Sequence, residues 1–306
     1  MHLPDFDYHA PDTLGGACAL LASLGSEIRV LAGGTDLLHK MKVGKLAPRA
    51  LMSLKRLDAL RGIRYEKGRG VVIGALATQS DVVDSPVLHA RYRSVSEAAH
   101  RMASLQIRNL GTVGGNIVNG VPSADLPPIL IALGATIRLV HAGGERTLPL
   151  EGFFRGAAQT AITPGEILTE VVIPDGAFTG SCYLKFGLRR SGALAVAGAA
   201  VAVRVEDGVI HEARVALASC APTVIRAPAA EEYLRGKPAT PEVLEEAGLR
   251  AEADSRPRDS IRGSAEYRRN LARVLTKRAL RKAVDEGHGA SDRCPVTGEE
   301  DLRCNP

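Results

Sequence analysis

Ala32-Gly33-Gly34-Thr35-Asp36 and Gly111-Thr112-Val113-Gly114-Gly115-Asn116 are the two stretches whose reading decides the fold. Each sets paired glycines beside a threonine hydroxyl. Glycine tolerates positive φ and lets a backbone approach a ligand closely, so successive N–H groups can point at an anion such as a pyrophosphate. Neither stretch reads G-x-G-x-x-G or G-x-x-x-x-G-K-S/T, which speaks against a Rossmann dinucleotide fold and against a P-loop NTPase. A tight turn is the plain alternative for either pair alone. The surroundings favour two walls of one cofactor site. The first pair follows the apolar run Ile28-Arg29-Val30-Leu31-Ala32, read as the end of a buried strand.

Working outward, the first 58 or so residues read as a small α/β unit. Asp12 is placed to cap a helix over Leu14–Leu24 and Gly25 to end it, and a strand Val30–Ala32 enters the first glycine loop. Ala50–Leu54 reads as a second strand. A second α/β unit runs to about residue 176, with strands at Gly70–Ile73 and Ala135–Val140 and a helix opening at Ser94. In a third unit, Tyr183–Leu188, Ala195–Val205 and Ile210–Ser219 alternate as antiparallel strands. Asp207-Gly208 forms the hairpin turn between the last two, and helices follow at Pro241–Ala253 and Glu266–Val284. From residue 287 to 306 the chain is almost devoid of apolar residues and reads as a polar tail.

Composition excludes several classes. The 306 residues, 45% hydrophobic and 24% charged, suit an ordinary globular protein and are enough for two domains with cores of their own. No apolar run approaches the roughly 20 residues needed to cross a bilayer, and the N-terminus lacks a signal-peptide layout, so a cytoplasmic location is expected. The net charge of +5 is concentrated in residues 256–286, with ten Lys/Arg against four Asp/Glu. Tyr267, Leu271, Val274, Leu275 and Ala279 recur there at helical spacing, so the arginines form the solvated or subunit-facing side of an amphipathic helix. With no Trp and no aromatic interleaving in that segment, a nucleic-acid platform is not expected. Cys18, Cys182, Cys220, Cys294 and Cys304 are scattered and include no C-x-x-C pair, so neither a disulfide framework nor a compact metal site is expected.

The order and spacing of AGGTDLL (32–38), IGALATQSDV (73–82), QIRNLGTVGGNIVNGVPSADLPPIL (106–130), TPGEILTEVVIP (163–174) and YLKFGLRRSGALAVAGAAV (183–201) resemble the FAD-binding medium subunit of the molybdenum hydroxylases. That family includes xanthine dehydrogenase and aerobic carbon monoxide dehydrogenase. Xanthine dehydrogenase carries Asn and Glu where Gly34 and Asp36 stand, so the resemblance is nearer to the separate medium subunits of bacterial three-subunit enzymes. A cysteine-rich insertion found after the second loop in one reductase branch is absent from Asn116–Asp125.

The resemblance implies an α+β fold. Its two-part FAD-binding region (residues 1–176, parts 1–58 and 59–176) would be of the vanillyl-alcohol oxidase type. A C-terminal domain (177–286) with a three-stranded antiparallel sheet and helices would follow. It also implies FAD held by Leu31, Ala32, Gly33, Gly34, Thr35 and Asp36 from one wall and Thr112, Val113, Gly114, Gly115 and Asn116 from the other, and since neither loop contains a His or Cys the attachment is expected to be non-covalent. Asp125 would accept from a ribityl or ribose hydroxyl. Ile162 would pack on the isoalloxazine, and Lys185 would lie close to the ring, where a cation would stabilise the reduced flavin. The implied role is electron transfer: 2Fe-2S clusters of a small subunit would feed FAD, and FAD an acceptor such as NAD or a quinone. The molybdenum cofactor would sit on a molybdopterin-binding large subunit, in a dimer of heterotrimers. No metal ligand and no catalytic residue is expected in this chain. A stand-alone FAD oxidoreductase acting on its own small substrate is the competing reading, for which no catalytic base stands out.

Overall fold

The computed structural model describes residues 2–176, 178–189 and 191–288. It contains three main sheets. The first is parallel, with Ala50–Ser53 between Asp7–His9 and Ile28–Leu31, joined by the helices Leu14–Leu24 and Leu37–Lys42. Thr13 rather than Asp12 caps the first of these helices, because its extended backbone lets the hydroxyl accept from the Gly16 N–H at 3.1 Å. Asp12 instead pairs with Arg56. Gly25 ends the helix with φ 52°, as expected.

The second sheet is antiparallel, in the order Ile63–Glu66, Gly70–Gly74, Ile167–Ile173, Thr136–His141, Gly144–Pro149. The two central members are buried along their length: Gly70–Gly74 carries Val71, Val72 and Ile73, and Ile167–Ile173 carries Ile167, Leu168, Val171 and Ile173. Short helices at Val113–Val118 and Leu126–Ala132 pack into the same core through Val113, Ile117, Ile129 and Leu130.

The third sheet corrects the expectation of three strands. Gly180–Phe186, Ala197–Glu206 and Val209–Ala218 form its body. Two-residue strands, Ile225–Arg226 and Lys237–Pro238, both pair with Val209–Ala218 and make it five-stranded. Strands that short carry no alternation, so no sequence pattern announces them. The hairpin at Asp207-Gly208 has φ 50° and 74°, the left-handed pair that a two-residue turn of this hand requires.

Alternation along the third sheet decides where its residues face. Cys182, Val201, Val203, Val215 and Leu217 join a core with the helices Pro241–Asp254 and Ala265–His288. Tyr183, Ala200, Ala202 and Ala216 point the other way, into the core of the second sheet. Lys185, two residues beyond Tyr183, therefore faces the same side as Tyr183. The expected tail, with Cys294 and Cys304, lies outside the described residues beyond His288. Cys18, Cys182 and Cys220 are buried free thiols. Among the described residues, no helix is long and apolar enough to cross a membrane.

Candidate cofactor cleft

Both glycine loops open onto one cleft of about 580 Å³, within the range of small-molecule and cofactor sites. Ala32, Gly33, Gly34, Thr35 and Asp36 line one wall, and Thr112, Gly114, Gly115 and Asn116 line the other. Asp125 and Ile162 also face it. Leu31, Val113 and Lys185 do not line it. Leu31 packs beneath Gly34, where an added Cβ would stand 3.0 Å from the leucine Cδ1. Val113 is fully buried in the core.

The glycines serve different needs. Gly34 sits at φ 76°, a conformation that side chains disfavour. An added Cβ on Gly33 would lie 2.0 Å from the Leu110 carbonyl oxygen, so this glycine lets the two loops touch each other. Gly114 is likewise pressed on protein, with its added Cβ 2.8 Å from the Cβ of Ala75 and its N–H donating to the Ala75 carbonyl at 2.8 Å. Gly115 is exposed, and its added Cβ would meet only the Thr112 hydroxyl, at 2.9 Å.

Thr112 caps the helix Val113–Val118 by accepting from the Gly115 N–H at 3.1 Å. The loop is further stitched to the segment after Gly70–Gly74: Val113 N–H donates to the Ala77 carbonyl and Gln79 N–H to the Gly111 carbonyl, both at 2.9 Å. Asp36 precedes the helix Leu37–Lys42 without capping it through its side chain. Asn116 braces its loop little, since its amide nitrogen reaches only the Met102 sulfur at 3.9 Å and its Oδ1 has no protein partner.

Besides the exposed Asp36, two buried carboxylates border the cleft, and their surroundings shift their titration in opposite directions. Asp125 is buried; its Oδ1 accepts from the Tyr183 hydroxyl and its Oδ2 from the Lys185 ammonium, both at 2.8 Å. Burial pushes the Asp125 carboxyl up from its ordinary range, against the opposing pull of Lys185 and Tyr183. Lys185 also donates to the Arg101 carbonyl at 3.1 Å. The lysine charge is thus already balanced by Asp125 at the cleft wall, and each Asp125 oxygen already accepts one hydrogen bond from the protein.

Glu166 is also buried, which by itself raises a carboxyl. A two-pronged Arg146 contact, at 2.6 and 2.9 Å, and the Thr163 N–H at 2.6 Å outweigh that and hold it down at about 2.

Reading from sequence missed Gln79, Lys40, Arg29 and Asn119, all on the cleft. Gln79 is fully buried, yet neither its amide oxygen nor its amide nitrogen has a protein hydrogen-bond partner. A buried amide without partners is costly, so such a group beside a cleft signals a polar ligand or water. Its sequence signals are a polar residue directly after the strand-and-turn run Gly70–Thr78 and its place within the stretch 73–82 that shares in the family resemblance. Together the unpartnered amide of Gln79, the unpartnered Oδ1 of Asn116, the side-chain-free surface at Gly115 and the threonine hydroxyls suit a long ligand rich in phosphate and hydroxyl oxygens, which FAD is.

Comparison with known proteins agrees with this chemistry. Residues 4–176 match the FAD binding domain in molybdopterin dehydrogenase, and residues 182–283 match the CO dehydrogenase flavoprotein C-terminal domain. The chain belongs to this family of FAD-binding medium subunits of molybdenum hydroxylases. It is 40% identical over 281 residues to the carbon monoxide dehydrogenase medium chain of Hydrogenophaga pseudoflava, covering 92% of this chain and 97% of that one. It is 31% identical to the glyceraldehyde dehydrogenase medium chain of Sulfolobus acidocaldarius, over 93% of this chain and all of the relative. Among solved structures, carbon monoxide dehydrogenase from Hydrogenophaga pseudoflava, in a form lacking the Mo-pyranopterin moiety of its cofactor, superposes with a TM-score of 0.90. The identity is 40%, over 94% of this chain and 99% of that one. The family makes the chain an oxidoreductase subunit with an FAD-binding domain.

Proposed function

We propose that this medium subunit binds FAD non-covalently in the cleft between the glycine loops and relays electrons within a molybdenum hydroxylase. Bound FAD supplies a redox group that exchanges electrons with one-electron and two-electron partners. The chain itself orients that group. Gly33, Gly34, Thr35 and Asp36 with Ala32, and Thr112, Gly114, Gly115 and Asn116, form the surfaces for the diphosphate and ribityl portions. Ile162 supplies an apolar contact for the ring. Leu31 and Val113 support the loops from behind, and the Asp125–Lys185 pair fixes the wall.

The observation that carries the reading is the convergence of both glycine loops on one cleft beside the unpartnered, buried amide of Gln79. Among the described cleft-lining residues there is no His or Cys, the side chains that commonly link flavins covalently.

In the assembly we propose, a small subunit with 2Fe-2S clusters delivers electrons and a large subunit holds the molybdenum cofactor where substrate is oxidised. Two such heterotrimers pair, and the acceptor is NAD or a quinone. Within the chain, residues 1–58 and 59–176 act as the two parts of a flavin domain of the vanillyl-alcohol oxidase type, and 177–286 as the C-terminal domain. Acid extraction of the purified complex tests the cofactor. Free FAD at one equivalent per chain is expected, whereas FMN or no flavin would overturn the reading. Mass-spectrometric identification of co-purifying chains tests the assembly.

A further inference from the structure

The two cleft walls meet twice, and the two meetings differ in kind. At the start of the loops, Gly33 lies directly against the Leu110–Gly111 backbone, so closely that no side chain fits. Farther along, Lys40 in the helix Leu37–Lys42 reaches Asn119, the residue that ends the helix Val113–Val118: Lys40 Nζ donates to Asn119 Oδ1 at 3.0 Å across a separation of 79 residues in sequence. Thr35, Asp36, Thr112, Gly115 and Asn116 lie between the two contacts, and all face the cleft. The pair of contacts therefore closes a frame around that part of the cleft. The first is backbone on backbone and opens only if a loop moves. The second is a single hydrogen bond between half-buried side chains, one of them on the long, rotatable stem of a lysine.

Charge adds a second reason to look at Lys40, which with Arg29 lines the cleft without a carboxylate partner among the described residues. The buried carboxylates Asp125 and Glu166 are balanced within the protein by Lys185 and Arg146, while Asp36 stands exposed at the cleft edge with no ion pair among the described residues. Lys40 lines the same cleft with only a neutral amide as its partner, and no carboxylate pairs with it among the described residues. An ammonium has three donors, so one can hold Asn119 while others face an anion.

We propose that Lys40 and Asn119 form a strap that retains the cofactor: Asn119 holds the ammonium across the frame, and the ammonium supplies a positive charge for the diphosphate. This rests on the reading of the cleft as an FAD site. The test is the rate of FAD release from the purified complex, followed by flavin fluorescence after dilution at several salt concentrations. Lys40→Met should release FAD about tenfold faster, equivalent to about 1.4 kcal/mol, and Asn119→Ala about threefold faster.

Because Asn119 acts through Lys40, the double variant should be no faster than Lys40→Met. Lys40→Arg, which keeps charge and donors, should stay within about twofold of wild type. Added salt should speed release from the wild type more than from Lys40→Met. Equal release from Lys40→Met and wild type would overturn the strap alone, as would multiplicative effects in the double variant. A wild-type complex that takes up no FAD would overturn the underlying reading with it.

Discussion

The glycine loops and the carboxylates border the same cleft but are built on opposite rules. At Gly33 and Gly114 the structure depends on atoms that are missing: a Cβ at either position would lie 2.0 to 2.8 Å from other protein atoms. At Asp125 and Glu166 it depends on charges that are present and paired. The lesson is that the first region is broken by additions and the second by removals. Within the glycine region a further contrast appears. The second loop is stitched by backbone hydrogen bonds to the segment Ala75–Gln79, while the first is held by its own short helix and by contact with the second.

The largest effects should come from additions. Gly33→Val would force the Leu110 carbonyl away and separate the loops, and Gly114→Val would lift the second loop off Ala75. Either variant is expected to retain less than roughly a tenth of the wild-type flavin, a loss worth more than about 1.4 kcal/mol. The ratio of flavin to protein absorbance measures this. Normal flavin content in Gly33→Val would show that the loops need not touch.

Removals come next. Lys185→Met leaves Asp125 buried without its cation, and breaking such a pair costs roughly 3–5 kcal/mol in stability, read by denaturant titration at neutral pH. Adding Asp125→Asn should recover much of the loss, since it removes the orphaned charge. A single Lys185→Met variant as stable as wild type would mean that the pair is not buried. Because Lys185 and Asp125 balance one another, the flavin potential in that double variant should stay close to wild type. A large shift would place the lysine charge on the ring after all.

Glu166 gives a smaller, pH-dependent effect of defined sign. Its carboxyl titrates at about 2 in the folded chain against an ordinary 4.5. The ionised pair with Arg146 therefore adds stability above about pH 4.5, and that stability is lost as the pH falls toward 2. The difference in Tm between wild type and Glu166→Gln should be widest near neutrality and close across that acid interval. A constant difference would show that the Arg146 contact does not depress the carboxyl.

The smallest effect is expected from Gly115→Ala. The added methyl faces the cleft and meets only the Thr112 hydroxyl, so folding should be unchanged and FAD affinity weakened by a few-fold at most, under about 1 kcal/mol. A loss as large as that of Gly114→Val would erase the distinction between glycines that face the ligand and glycines that face protein.

Much of this was legible in the chain. Alternating apolar residues marked the three long strands of the third sheet, and Asp207-Gly208 marked the hairpin between two of them. The paired glycines beside Thr35 and Thr112 pointed to the cleft that both loops line. Their motif order also carried the family resemblance that the relatives bear out. Local rules suffice for such features, because periodicity, turn chemistry and glycine placement act over a few residues.

Only the tertiary structure decided what faces what. It showed that Gly33 and Gly114 accommodate protein backbone, that Lys185 is spent on Asp125, and that the two-residue strands complete the third sheet. It also brought Lys40 to Asn119 and left the buried amide of Gln79 without a protein partner. Each of these depends on residues far apart in sequence meeting through packing. A lysine or glutamine has the same local signature whether it ends in water, in an ion pair or against a cofactor. The difference is made by what the fold places opposite it.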